Sequence, residues 1–179
     1  LYVAQESGNL NLRNCFFGGN RAVNGAGGAV FLKFEGISEA LNHFVGCTFL
    51  SNRAGGTGAG GAIANRARNF NLRNSLVWNN LDNSGLGGNR GIDVPDYSFN
   101  KRQQMEITFS SVQNYASVKS LIEQKVNVNS WTGFVTSGNL ELDPLFVQPG
   151  DPSLAPSILV SPEINLCSPV INRGRGSDV

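Results

Sequence analysis

The residues of this sequence that are suited to metal chemistry lie mostly in one stretch. Residues 81–104 contain Asp82, Asp93 and Asp96, whose carboxylates could bind calcium together with backbone carbonyl oxygens. Their spacing is not that of an EF-hand loop, and an exposed, solvated loop explains the three acids more simply. We therefore expect no cofactor, with calcium as the one alternative.

The candidate ligand-binding residues are Trp78, Arg90 and Tyr97, which lie in the same stretch or just before it. An exposed Trp can stack on a sugar ring or meet a protein partner. The alternative is that residues 81–104 fold over Trp78 and bury it. These residues indicate weak binding of a glycan or a protein through loops on one face.

Catalysis on a glycan needs more than this stretch supplies. A hydrolase needs two carboxylates around the glycosidic bond, and a lyase commonly uses a calcium held by acids together with an Arg or Lys. Such clusters would appear as acids at matching positions of the repeated segments described below, and none are found. His43 is the only histidine, and it lies beside an inward Phe44, which predicts a surface position. The sequence therefore favours a non-catalytic protein.

Composition excludes several other classes of protein. A chain of 179 residues is long enough for one domain with its own core. With 15% charged residues and a net charge of +1, it lacks the positive electrostatic potential that binds nucleic acid. It has no apolar run long enough for a membrane-spanning helix. Because Leu1 opens directly on patterned sequence, we expect the chain to be part of a longer protein.

Two landmarks repeat in the same order along the chain. Residues 14–22 return as residues 46–54, then more loosely as 74–80 and 109–114, and the string Gly-Ala-Gly-Gly-Ala with a β-branched residue occurs at 25–30 and 58–63. Within each copy the apolar residues alternate, which is typical of short strands. Aligned copies place like residues in columns, of which two are Leu12, Phe44, Leu72, Ile107 and Phe17, Phe49, Val77, Val112.

This repetition predicts an all-β fold, a right-handed parallel β-helix with three short strands per repeat and loop excursions. A unit of this size cannot close its own core, so identical positions must stack from one repeat to the next. The predicted structural ladder has an amide column, Asn20, Asn52 and Asn80, and a small-residue column, Cys15, Cys47, Ser75 and Ser110. Parallel side-chain directions argue against a Cys15–Cys47 disulfide, so buried free thiols are expected, and Cys167 has no partner in the repeats.

Several motifs resemble a known class of bacterial proteins. The strings Asn-Arg-Ala at 52–54, Gly-Gly-Ala-Ile at 60–63 and Phe-x-x-Asn at 49–52 resemble the repeats of polymorphic outer-membrane and right-handed β-helix repeat proteins. The tail, residues 138–147 and 168–174, is similar to the ending of secreted proteins of the choice-of-anchor type, although Asn172 and Arg173 replace the aspartate and alanine often found there. The resemblance implies export to the bacterial outer surface, and it does not specify an activity.

The chain is therefore interpreted as a single domain, residues 1–179, with a C-terminal closing segment at 138–179. Excursions are expected at residues 33–42, 81–104 and 115–137, the last containing a short helix at 117–126. We expect flanking repeats or a partner subunit to cover the N-terminal end, because open strand edges invite pairing. The expected function is structural, adhesive or recognition at the cell surface, and the alternative is a polysaccharide lyase or glycoside hydrolase on the same scaffold.

Overall fold

The computed structural model describes residues 1–5, 8–34, 41–55, 59–66, 69–83, 91–93, 104–129 and 133–146. In this part of the chain fifteen short strands and one helix follow one another. The strands are β1 (Tyr2–Gln5), β2 (Leu10–Arg13), β3 (Phe16–Gly18), β4 (Arg21–Ala22), β5 (Val30–Phe34), β6 (Leu41–Val45), β7 (Thr48–Leu50), β8 (Arg53–Ala54), β9 (Ile63–Arg66), β10 (Asn69–Arg73), β11 (Leu76–Trp78), β12 (Ile92–Asp93), β13 (Gln104–Thr108), β14 (Ser111–Val112) and β15 (Gly133–Ser137). The helix α1 (Tyr115–Asn129) lies between β14 and β15.

The strands form four parallel sheets, and each sheet takes one strand from successive repeats. The five-stranded sheet has the order β15-β13-β10-β6-β2, and two four-stranded sheets have the orders β1-β5-β9-β12 and β14-β11-β7-β3. A two-stranded sheet pairs β4 with β8. Strands that are neighbours in a sheet come from different repeats, so nearly all sheet hydrogen bonds connect residues far apart in the sequence.

The predicted columns match the observed register. Phe44 is opposite Leu12 on one side and Leu72 on the other, and Leu72 is opposite Ile107. In the second four-stranded sheet Phe49 lies between Phe17 and Val77. The rings of Phe17 and Phe49 stack with centroids 4.8 Å apart and planes 2° apart. Repeated residue types thus identified correctly which positions are neighbours across strands.

The predicted fold, a single right-handed parallel β-helix with three strands per repeat, is nevertheless wrong. The strands belong to four separate parallel sheets, because the Arg-Ala pairs that follow the asparagine column, Arg21–Ala22 and Arg53–Ala54, pair with each other as a further sheet. The fold is not all-β either, because α1 extends over fifteen residues. The sequence repeat identifies stacked positions, but it does not say how many sheets the strands between them form.

One hydrophobic cluster connects the three larger sheets and the helix. It contains fully buried residues from each of those sheets, such as Val30, Phe44 and Phe49. The helix adds Val118 and Ile122, which are four residues apart and therefore lie on the same helical face. A helix at residues 117–126 was predicted, and α1 confirms it with a longer span.

Left-handed backbone at corresponding positions turns the chain between sheets. Asn14, Gly46, Asn74, Phe109 and Gly138, each just after a strand of the five-stranded sheet, have φ between 48° and 64°. Asn and Gly adopt this conformation at low cost, which explains their frequency in the sequence. Phe109 is the exception, and its ring lies so close to Gly138 that a Cβ there would be 2.6 Å from it.

Candidate functional site

The candidate site is the outer face of the five-stranded sheet. The inward residues of its strands are apolar or fully buried, so the residues between them project from the opposite face. One row across the strands is Asn11, His43, Asn71, Glu106 and Val135, and the next is Arg13, Val45, Arg73, Thr108 and Ser137. We call the surface formed by Arg13, His43, Asn71, Arg73, Glu106 and Thr108 the Arg–His face.

Charge on the Arg–His face is unevenly distributed. Arg73 Nη2 lies 2.7 Å from Glu106 Oε2, and the Thr108 hydroxyl donates to Glu106 Oε1 over 3.2 Å. Both carboxylate oxygens of Glu106 therefore have partners. Arg13, on the edge strand β2, is exposed and forms no ion pair with any residue that the structure describes. The face thus has a cationic end at β2 and a carboxylate, neutralised by Arg73, at β13.

His43 lies between these two ends, half-buried on β6, and this outward position agrees with the sequence prediction. Burial lowers the pKa of its imidazole below the usual 6.5, and the positive charges of Arg73 and Arg13 lower it further, while Glu106 opposes them. The imidazole is therefore neutral at pH 7, and each of its ring nitrogens can take part in a hydrogen bond.

Asn71 is the most deeply set side chain of the first row. It is only 9% exposed, and its amide has no hydrogen-bond partner among the described residues. His43 and Glu106 flank it on the neighbouring strands. Neither Oδ1 nor Nδ2 of Asn71 is among the side-chain atoms that are fully buried without a partner, so both atoms of its amide remain in contact with solvent. An amide held in this way is ready to bond with a ligand.

This arrangement is chemically suited to binding. Glycoside hydrolysis requires two carboxylates, one to donate a proton and one to act as base or nucleophile. Glu106 is the only carboxylate of the Arg–His face, and its oxygens are held by Arg73 and Thr108. The remaining groups are hydrogen-bond donors and acceptors with planar side chains, which can recognise hydroxyl and carboxylate groups.

The three predicted ligand-binding residues are not brought together in the described part of the chain. Trp78 is half-buried on β11, opposite Leu50 in β7. Leu50 is fully buried although it does not belong to the hydrophobic cluster inside the fold. The outer face of the sheet β14-β11-β7-β3 is therefore covered at Leu50. Arg90 and Tyr97 lie outside the described residues.

The aspartates expected to lie in a solvated loop are placed differently. Asp82 is 8% exposed and Asp93 6%, so that expectation is wrong for both. Asp93 Oδ2 lies 2.6 Å from Arg66 Nη2, which neutralises the carboxylate without a metal ion. In the described ranges no group of three or more His, Cys, Asp and Glu side chains could hold a metal ion. Asp96 falls outside those ranges.

The asparagine column is a hydrogen-bonded ladder. The amide Nδ2 of Asn20 donates to Asn52 Oδ1 and that of Asn52 to Asn80 Oδ1, each over 2.9 Å. The backbone N–H groups of Asn20 and Asn52 donate to the same two oxygens. The ladder therefore has a direction, with every donor on the N-terminal side of its acceptor.

The small-residue column is also hydrogen-bonded. The backbone N–H of Cys47 donates to the Ser75 hydroxyl, that of Ser75 to the Ser110 hydroxyl, and that of Ser110 to Asn139 Oδ1. Cys15 and Cys47 are free thiols, as predicted, although Cys15 is only half-buried. Burial raises the pKa of the Cys47 thiol, so it stays protonated and unreactive. Both columns are architectural.

Sequence reasoning missed most of the Arg–His face. Arg13 and Arg73 belong to a repeated string, Asn-Leu-Arg-Asn at residues 11–14 and 71–74, but this string was not recognised as part of a surface. His43 and Glu106 have no equivalent in the other repeats, and only the outward positions of aligned strands reveal that they share this surface. The helix α1, the one helix in the described part of the chain, is not long and apolar enough to cross a membrane. Models of known protein families, curated protein sequences and solved structures contain no match to this chain.

Proposed function

We propose that the protein is a secreted or cell-surface recognition module, which binds a glycan on the Arg–His face without cleaving it. The observation that carries this proposal is the nearly buried, unpartnered amide of Asn71, set between His43 and the Arg73–Glu106 pair. The repeat and tail motifs that resemble exported bacterial proteins support the location.

A peptide strand is a poorer ligand for this face than a glycan. The strands β6, β10 and β13 are paired on both sides, so their backbone groups are used within the sheet and cannot bind an added strand. Recognition must therefore use side chains. Hydrogen bonds can be both donated and accepted by the amide of Asn71 and the neutral imidazole of His43, and they are accepted by the carboxylate of Glu106. This mixture suits the many hydroxyl groups of a sugar.

The alternative, a lyase or hydrolase, is disfavoured by the state of Glu106. A general acid needs a free oxygen that can deliver its proton to the leaving group, whereas Arg73 contacts one oxygen of Glu106 and the Thr108 hydroxyl donates to the other. We propose that these contacts fix the orientation of Glu106 for hydrogen bonding with a ligand.

A panel of neutral and acidic polysaccharides, with and without calcium, tests this function. Binding and depolymerisation are measured in parallel for the parent chain and for Asn71→Leu, with Asn11→Leu as the matched control on the exposed edge strand. We expect binding that Asn71→Leu weakens and Asn11→Leu does not, and no shortening of any polysaccharide. Glycan cleavage that Glu106→Gln abolishes would establish the enzyme instead.

We also propose that the N-terminal end of the stack is a contact surface for a flanking repeat or a partner subunit. Leu12 and Phe17 are half-buried there, whereas the residues of the next repeat in the same columns, Phe44 and Phe49, are fully buried. A cavity of about 380 Å³ opens at this end, with Tyr2 and Phe31 among its lining residues.

The direction of the asparagine ladder specifies what this end accepts. Asn52 and Asn80 each accept both hydrogen bonds through Oδ1, so a further repeat placed before Asn20 would need to offer an N–H and an amide to Asn20 Oδ1. If the N-terminal ends of two copies met, the Asn20 Oδ1 acceptor of one copy would face the same acceptor of the other. This disfavours a symmetric dimer through this end. A synthetic peptide of residues 41–54 should therefore bind this end, and the same peptide with Asn52→Leu should bind more weakly. Equal binding of the two peptides would contradict the proposal.

A further inference from the structure

We propose that the Arg–His face recognises an acidic glycan in which a uronic acid residue lies over Arg13 and His43 and a neutral sugar lies over Glu106. This inference rests on the proposed function and narrows it to one class of ligand. It follows from the order in which charged groups occur across the strands.

The β2 end of the face is suited to a carboxylate. Arg13 is exposed and makes no ion pair with a described residue, and its planar guanidinium can bind a carboxylate through two parallel hydrogen bonds. His43 is one strand away, in the adjacent row. With His43 neutral, the Arg–His face has two positive charges and one negative charge, so its net charge is positive.

The β13 end is unsuited to a second carboxylate. Glu106 would repel it, and the neutralising Arg73 is already engaged with Glu106. Beyond Glu106 in the same row, Val135 is 57% exposed and offers an apolar contact to the C–H face of a sugar ring. Adjacent strands are roughly 4.8 Å apart, so β2 and β13 are about 14 Å apart, and an extended oligosaccharide can reach both. The central amide of Asn71 would then bond with hydroxyl groups between the two ends.

Protonation of His43 should accompany binding. The charged groups that face His43 from the neighbouring strands are Arg13 on β2, Arg73 on β10 and Glu106 on β13, and their sum favours the neutral imidazole. A ligand carboxylate beside His43 opposes the two arginines and favours the imidazolium ion. Affinity should therefore rise as the pH falls from about 7.5 to about 5.5, because the bound state takes up a proton that the free state lacks.

Calorimetric titration with a hyaluronan octasaccharide, in which uronate and neutral sugars alternate, tests this inference. The comparison ligand is the same octasaccharide with its carboxylates reduced to alcohols. We expect the reduced form to bind roughly 10- to 100-fold more weakly, the range of one charge-assisted hydrogen bond. Arg13→Gln should cause a similar loss. Arg21→Gln is the matched control, since it removes one exposed arginine from β4, away from this face, and should leave binding within twofold.

The pH dependence gives an independent readout. His43→Asn keeps a hydrogen-bonding side chain but cannot be protonated, so it should bind the octasaccharide equally at both pH values. An all-uronate oligogalacturonate of equal length should bind more weakly than hyaluronan, because it places carboxylates at Glu106.

The possible failures can be distinguished. Equal binding of the reduced octasaccharide would overturn the uronate inference and leave the proposed glycan recognition intact. Binding of a poly-glutamate peptide as tightly as hyaluronan would overturn it too, since charge alone would then be recognised. If no glycan of the broader panel binds, the proposed function fails as well.

Discussion

Replacing Asn52 by leucine tests the hydrogen-bonded ladder where it is most deeply buried. Asn52 is 0% exposed, and its Nδ2 donates to Asn80 Oδ1 and to the Phe17 carbonyl oxygen, while its Oδ1 accepts from the backbone and side chain of Asn20. Leucine has a similar volume and removes all four side-chain hydrogen bonds. Asn20 is exposed, so water can replace its lost partners.

The cost of this substitution follows from the groups left without partners. The Phe17 carbonyl loses a buried partner, and Asn80 Oδ1 keeps only the backbone N–H of Asn52. One buried polar group left unsatisfied costs about 1–3 kcal/mol, which for a chain of this size lowers the Tm by roughly 2–12 °C. Urea denaturation followed by circular dichroism measures the change in unfolding free energy. The control is Asn20→Leu at the exposed end of the ladder, for which a loss below about 1 kcal/mol is expected. Equal losses for the two variants would refute a buried ladder.

Three further predictions concern backbone packing, thiol reactivity and pH. Gly28→Ala should destabilise the fold severely in thermal melts, because a Cβ there would lie 2.1 Å from a backbone oxygen, whereas Gly25→Ala, with no atom within 4 Å, should be nearly neutral; similar melting temperatures would contradict the close approach. In the native protein an alkylating reagent should modify Cys15 before Cys47, whose burial raises its pKa, and peptide mass spectrometry that finds equal labelling, or a bridge between them, would refute this. Because the folded state lowers the pKa of His43, the unfolded chain binds more protons below about pH 6.5, so stability should fall with acidification from neutral pH, and His43→Asn should lose less between about pH 7.5 and 5.5; identical losses would contradict it.

Repeated residue types predicted the parts of the fold that depend on stacking. Like residues recur where a side chain must fit between identical neighbours, so the columns of Phe44 and Asn52 could be aligned without a structure. The number of sheets could not be predicted in this way. It depends on whether the short Arg21–Ala22 and Arg53–Ala54 segments pair, and two residues carry too little alternation to show this.

The candidate site was not predictable from motifs for a related reason. Only part of the site repeats: Asn-Leu-Arg-Asn occurs at residues 11–14 and 71–74, whereas His43 and Glu106 are different residue types in the same row as Asn71. Asn71 and Glu106 become neighbours only through the register of β10 with β13. The aspartates that stood out in the sequence proved to be buried, and Asp93 is engaged with Arg66. The distinction between a buried ion pair and a solvated loop depends on packing that spacing alone does not reveal.

The imidazole resonances of His43 provide the most direct test of the Arg–His face as the recognition site. His43 is the only histidine of the chain, so its signals in a ¹H–¹⁵N NMR spectrum need no assignment by mutagenesis. The spectrum is recorded across a pH series, with and without a hyaluronan octasaccharide. We expect a His43 pKa below 6.5 in the free protein and a higher pKa when the octasaccharide is bound. Binding of the octasaccharide that leaves the His43 resonances and pKa unchanged would contradict this expectation, because the ligand would then occupy another surface.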